Sequence, residues 1–297
     1  MNLTNDIIGS FFALSTALCW AVASIMWRKL GEDVSSVAMN LGKGLVALVC
    51  LGAIFAFKGF GSVGFDEWIM LSLSGLLGIS LGDTLFFLAL MRLGPRRMLM
   101  MDTMIPLVTA MLAFVVLGER LTGVGWLGGA LVIGGVVWVM RERLPQQSPA
   151  EERTGRAGVW LATGAVMCNA VAILLAKKAA ATVDPTDATF VRIFAGTVGL
   201  VVYGLPRGRV IGWLKPFLKP RLLAVLAVAS FIGTFLGIWL AQAALTFTTA
   251  TVATILKGTT PIFILPLAVL VLKEKVSLRA VLGAAVAVAG VAVLFLR

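Results

Sequence analysis

Apolar residues run through this chain in long unbroken stretches rather than in alternation. A helix needs about 20 consecutive apolar residues to cross the hydrocarbon core of a bilayer. Ten stretches meet that length, at roughly 7–27, 36–57, 68–91, 96–117, 122–140, 157–178, 186–205, 222–245, 248–272 and 278–296. Those at 121–140, 157–176 and 222–256 contain no charge. The last is too long for one crossing, and the threonine-rich TFTTAT at 246–251 divides it. A closed β-barrel, the other way to span, needs period-two segments of about ten residues. The pattern therefore predicts an all-α membrane protein with ten transmembrane helices.

Composition supports this class. Hydrophobic residues make up 60% and charged residues 13% of 297, and mean hydropathy is +1.01. A soluble domain carries about a quarter of its residues as charges, so most of this surface must face lipid. The first stretch has no basic segment before it and no cleavage pattern after it, so it is expected to stay as a membrane helix. The three cysteines lie in apolar runs and fit small buried hydrophobes better than disulfides. The chain has no histidine, which excludes His-based metal sites and Ser-His triads. No catalytic residue, metal or cofactor is expected, and no nucleotide-binding P-loop is present. The net charge of +11 reflects basic loops that orient the helices rather than a nucleic-acid partner.

The chain repeats itself. Displaced by 155 residues, 75–140 falls on 230–295 without a gap. Gly78 then meets Gly233, Gly82 meets Gly237, Pro106 meets Pro261, Glu119 meets Glu274 and Gly135 meets Gly290. Earlier positions pair as Gly9 with Gly158, Cys19 with Cys168, and Arg28-Lys29 with Lys177-Lys178. Two five-helix repeats are predicted, 1–140 and 157–297, joined by RERLPQQSPAEERTGR at 141–156, a charged linker assigned to the cytoplasm. Five is odd, so the second repeat enters the membrane from the opposite side. Loop charge agrees with inversion: the loop near Arg92, Arg96 and Arg97 is basic, while its counterpart at 247–252 has no charge. Alternate loops carry 17 Lys/Arg against 5 on the other face. The positive-inside rule then places both termini in the periplasm of a cell inner (plasma) membrane. The basic, aromatic segment at 206–221 is expected at headgroup depth, with Trp213 and Phe217 in the interface.

Each half thus contains a glycine-spaced helix, a helix with a proline, a short loop with glutamate and a glycine-rich last helix. In this chain they read GISLGDTLFFLALMRLG…PLVTAMLAFVVLGERLTGVGWLGGALVIGGV and GTFLGIWLAQAAL…PIFILPLAVLVLKEKVSLRAVLGAAVAVAGV. The pattern resembles the EamA-type branch of the drug/metabolite transporter superfamily. The resemblance implies two inverted repeats around a central cavity lined mainly by spans 1, 3, 4, 6, 8 and 9. It also implies transport, in most known members export of amino acids and other metabolites or xenobiotics.

Ionisable side chains at membrane depth are costly and mark functional sites by default. Five lie within the expected spans. Lys43 and Arg192 are long enough to snorkel to the interface as anchors. Asp83, too short to snorkel, is a candidate for proton transfer, gating or a buried hydrogen bond. Asp102 and Lys257 are repeat equivalents of opposite sign, each four residues before its proline. They are candidates for an ion pair across the cavity, either a static bridge or a holder of the substrate's charged ends. Trp20 and Asn169, on spans 1 and 6, and Trp239 and Gln242, on span 8, are candidate cavity contacts. Pro106 and Pro261 are candidate hinges or static kinks, since each frees a backbone carbonyl. Glu119 and Glu274 are expected to cap the helices that follow them. The stripe of Gly283, Ala287 and Gly290 suits close helix packing within or between protomers.

These features point to a secondary transporter, an exporter of small metabolites working by alternating access. Its partners are a small-molecule substrate and the lipid bilayer, and it is compatible with a monomer or a dimer. The alternatives are a polytopic membrane enzyme and a non-transporting receptor or scaffold. Inverted repeats favour the transporter, since rocking of two halves is a transport device.

Overall fold

The computed structural model describes residues 3–102, 104–120, 122–140, 149–260, 262–264, 267 and 278–295. Among these residues all regular structure is helical. The first half holds α1 (Leu3–Leu30), α2 (Ser36–Lys58), α3 (Phe65–Ser74), α4 (Asp83–Asp102), α5 (Ile105–Leu117) and α6 (Gly123–Met140). The second holds α7 (Pro149–Ala179), α8 (Pro185–Gly204), α9 (Val210–Leu214), α10 (Pro220–Ala229), α11 (Gly237–Phe247), α12 (Ala250–Lys257) and α13 (Leu278–Phe295). Among the described residues six helical segments are long and apolar enough to cross a bilayer: Asn5–Leu30, Ser36–Lys58, Phe65–Leu93, Arg156–Ala179, Pro185–Arg207 and Pro220–Phe247. Shorter apolar helices follow at Ile105–Leu117, Gly123–Gly135 and Val281–Val293.

The helix starts show why these segments begin where they do. Ser35 precedes α2 and accepts a hydrogen bond from the Ala38 amide. Its counterpart 149 residues later, Asp184, accepts from the Thr186 amide at 2.8 Å, with Pro185 in the first turn of α8. Both supply the acceptor that the first turn of a helix lacks. Asp184 also pairs with Lys58 at 2.9 Å, joining the end of α2 to the start of α8. Partial burial opposes its charge, but the hydrogen bonds from Lys58 and Thr186 outweigh that and hold its carboxyl below the usual carboxylate range.

The halves interlock. α1 packs against α10, α11 and α12 of the second half, and α7 packs against α3, α4 and α5 of the first. Between α3 and α4, and again between α10 and α11, the chain winds as a π-helix, at Gly75–Gly82 and Ser230–Leu236. The two segments start 155 residues apart, so the irregularity itself is duplicated. Glycines make room for it. A Cβ at Gly75 would collide with the carbonyl oxygen of Arg192, and one at Gly78 would lie 2.9 Å from the Cβ of Ala172. The wider winding leaves carbonyls poorly used, and Asn40 donates to Ile79 O at 2.7 Å and to Thr84 Oγ1 at 2.9 Å.

The structure corrects several boundaries. The turn expected near Arg92–Arg97 is helical, and α4 continues to Asp102. The helix expected at 96–117 is instead broken after Asp102, so Pro106 sits in the first turn of α5 and not in mid-helix. α12 breaks at the equivalent place, after Lys257. The physical reason is common to both: a proline four residues on cannot donate to the carbonyl of Asp102 or Lys257. The freed Lys257 carbonyl accepts from the Thr260 hydroxyl at 2.7 Å, and Leu256 O accepts from Thr259 at 2.6 Å. Pro261, Glu274 and the first half of the expected linker, 141–148, lie outside the described residues; its second half is not a linker but the helical start of α7.

Glu119 does not cap α6. Its carboxylate crosses to the other half and accepts from the Ala250 and Thr251 amides at 2.9 and 3.2 Å, and from the Thr251 hydroxyl at 3.0 Å. It therefore caps α12 from the end of the first half. Beside it Lys177 donates to Leu245 O and Thr248 O, both at 2.7 Å, pinning the link between α11 and α12. Phe217 is buried over Gly42 of α2 rather than facing the interface, while Trp213 packs against Gly204. The glycine stripe works within the chain: a Cβ at Gly290 on α13 would fall 2.6 Å from the Val132 nitrogen of α6.

Candidate functional site

An open cavity of about 650 Å³ lies where the two halves meet. From α1 come Ala13, Thr16 and Trp20, and from the first π segment and the start of α4 come Gly78, Ile79 and Asp83. α7 gives Asn169 and Ile173, and α8 gives Arg192. α11 and α12 close the ring with Ile238, Ala241, Ala244, Leu245, Ala253, Thr254 and Lys257. The wall is mostly apolar, with its polar groups confined to a few side chains, the general form of a small-molecule site. Spans 1, 3, 6, 8 and 9 thus contribute as the resemblance implied. Among the described residues span 4 contributes none, and α8 contributes Arg192.

Two long cations that could have snorkelled are buried. Lys43 is 2% exposed and pairs directly with Asp83, while its ammonium lies 5.2 Å from the centre of the Phe87 ring. The reason is distance along the helix: Lys43 lies two turns into α2, on the face turned to α4. Arg192 is 8% exposed and donates from Nη1 to Gln242 Oε1 at 3.1 Å. Gln242, fully buried, reaches the carbonyl of Ala176 with its own amide. In the sequence both read as anchors, because a long basic side chain two turns into a helix can reach the interface. Their repeat equivalence, 149 residues apart, was the available signal.

The other candidates separate. Trp20, Asp83, Asn169 and Lys257 come together on the cavity wall. The Lys257 ammonium stands 4.7 Å from the centre of the Trp20 ring, a cation–π contact. Asn169 donates to Ala165 O at 3.0 Å, in space left open by Gly82. Asp102 does not line the cavity. It attracts Lys257 through space, but the two form no ion pair within 4.0 Å among the described residues. Trp239 faces away from the cavity, donating to Thr186 Oγ1 at 3.1 Å with its ring edge-on to Phe12. Cys19, Cys50 and Cys168 are free thiols. No cluster of His, Cys, Asp or Glu suited to a metal occurs among the described residues.

The model of the EamA-like transporter family matches this chain twice, over residues 7–141 and 156–296. The chain belongs to the EamA-like transporter family. It is therefore a multi-pass membrane transporter of the drug/metabolite transporter superfamily, a family of transporters and not of enzymes. A solved crystal structure superposes on this EamA-like chain with a TM-score of 0.74 at 15% identity, over 96% of this chain and 95% of that one. At that identity the likeness speaks for the fold. No curated protein matches the chain. The two family matches bracket the two halves whose helices interlock around the cavity.

Proposed function

We propose that this EamA-like protein is a secondary transporter that exports small metabolites such as amino acids and related compounds by alternating access. The observation that carries the proposal is the cavity itself. It is shared between two pseudo-symmetric halves, and four ionisable side chains meet in or beside it at a depth where charge is costly: Lys43, Asp83, Arg192 and Lys257. In this reading the protein sits in the inner membrane with ten crossings and both termini periplasmic, α5 and α12 completing the set with their neighbours. Trp20, Asn169, Asp83 and Lys257 contact the solute, and Gln242 acts through Arg192. Asp102 tunes Lys257 from behind the wall. The breaks before Pro106 and Pro261 serve as hinges, since a helix already interrupted loses no further hydrogen bonds when it bends.

Proteoliposomes containing the purified chain test the proposal. Radiolabelled amino acids and small organic acids should cross at rates that saturate with concentration and fall when Lys257 is replaced by alanine. Flux no greater than in protein-free liposomes across that panel would refute it. A fluorescent reporter that matures only in the cytoplasm should stay dark when fused after Arg297.

A further inference from the structure

Among the described residues each half holds one buried cation, at the same place in the repeat, with unequal surroundings. Lys43 on α2 and Arg192 on α8 are separated by 149 residues, the offset that also carries Ser35 to Asp184. The groups around Lys43 are Asp83 and Phe87. Their equivalents, 155 residues on, are Ile238 and Gln242. Gln242 holds Arg192 as Phe87 underlies Lys43. In the place of the acid stands isoleucine.

Arg192 is thus a buried cation with no carboxylate at ion-pair distance among the described residues, Asp83 attracting it only from further off. A guanidinium carries five N–H donors. Among the described residues one is engaged, by Gln242, and the buried Nε has no partner. Asp83 is the acid among the described lining residues, and Lys43 pairs with it. A second cation, Lys257, shares the wall with Arg192 and rests on an aromatic ring rather than on a carboxylate. Burying charge without compensation costs several kcal/mol per ion. The first half shows what fits such a cation, because its own carboxylate already sits there.

We propose that Arg192, assisted by Lys257, is an oxyanion site, and that the transported solute carries one acidic head group on a small apolar body. The head group is a carboxylate or a phosphate monoester. Two of its oxygens lie against the free edge of the guanidinium, a geometry that suits Arg better than Lys. Gln242 is a positioning residue that fixes the guanidinium plane. Ile79, Ile238 and Ala241 face the apolar body. The assignment rests on the transport reading, but binding can be measured without transport.

The test uses the full chain in lipid nanodiscs and four probes of one size: butanoate, butyl phosphate, butanamide and butylamine, at matched ionic strength. Thermal unfolding is followed by intrinsic fluorescence as each is titrated. Butanoate or butyl phosphate should raise the midpoint, and the larger response identifies the head group; butanamide and butylamine should leave it unmoved. Arg192→Gln should weaken the apparent affinity by roughly tenfold or more, and Arg192→Lys by less. Ile238→Asp is the decisive variant, since it gives Arg192 the acid that Lys43 already has. Its own midpoint should hold or rise while the response to both anions disappears. An anion response that survives Ile238→Asp, equal responses to butanamide, or no response to either anion in the unsubstituted protein would overturn the site. A response in nanodiscs without saturable flux of the same anion into proteoliposomes would retain the site and remove the transport reading. Saturable flux of amines or neutral solutes without any anion response would do the reverse.

Discussion

Removing the carboxylate of Asp83 should damage this protein more than removing both members of its pair. Lys43 is 2% exposed and its described partners are Asp83 and the Phe87 ring. Stranding one partner of a buried pair typically costs about 3–5 kcal/mol. The ring, 5.2 Å from the ammonium, retains about 1 kcal/mol of that by cation–π attraction. Asp83→Asn should therefore destabilise by about 2–4 kcal/mol. Lys43→Met together with Asp83→Leu replaces the pair by apolar groups of similar volume, and such replacements are commonly neutral or stabilising. The double variant should unfold near the unsubstituted protein and clearly above Asp83→Asn. The assay is thermal unfolding of purified protein in one detergent, run for Lys43→Met, Asp83→Leu and their double so that the coupling can be extracted, with Asp83→Asn measured beside them. Asp83→Asn unfolding together with the unsubstituted protein, or strict additivity around the cycle, would refute a buried pair.

Other perturbations test other contacts. Glu119→Ala removes three hydrogen bonds from the start of α12 and should cost about 1–2 kcal/mol, seen as a lower unfolding midpoint and faster proteolysis at the α11–α12 link; an unchanged cleavage rate would count against the cap. Gly290→Val forces a side chain onto the α6 backbone and should cost about 1–3 kcal/mol, whereas Val288→Ala, on the exposed face of α13, should change little in the same unfolding measurement. Asp184→Ala should cost about 1 kcal/mol at neutral pH by loss of the α8 cap. Because the folded state depresses the Asp184 pKa, its contribution is complete above the usual carboxylate range and is lost as pH falls through the lower folded value. Below about pH 4 the gap between Asp184→Ala and the unsubstituted protein should therefore narrow, measured as midpoint against pH.

The repeat, the helical class and the family were legible because they rest on hydrophobic length and on glycine and proline in one register. Those signals are local or periodic. The errors arose where an outcome depends on a distant partner. Glu119 reads as a cap for the helix beside it, but the nearest unsatisfied amides in space belong to α12, 131 residues away. Lys43 and Arg192 read as anchors because a long side chain near a helix end can reach water; which face of α2 and α8 is turned inward is decided by tertiary packing. Asp102 and Lys257 read as facing partners because their register is the same. The backbone breaks just after both, which pairwise symmetry along the sequence does not register. Four residues meet on the wall: Asp83 and Lys257 stand out in the sequence as charges at membrane depth, Trp20 and Asn169 as equivalent positions on spans that the resemblance marks as lining. Arg192 could have joined them by following the earlier repeat offset through the second span.

The π-helical winding at Gly75–Gly82 makes the phase of everything beyond it depend on one residue. A π turn inside an α-helix is in effect a single-residue insertion, and one residue turns an α-helix by about 100°. Deleting one position there and restoring regular winding would swing Asp83 a quarter-turn away from Lys43. The membrane length of the helix would barely change. Small insertions and deletions in this stretch, and in its twin at Ser230–Leu236, would therefore act as rotations of the cavity wall. A descendant of this chain could exchange the side chains offered to its cargo in one mutational step, without altering any of them.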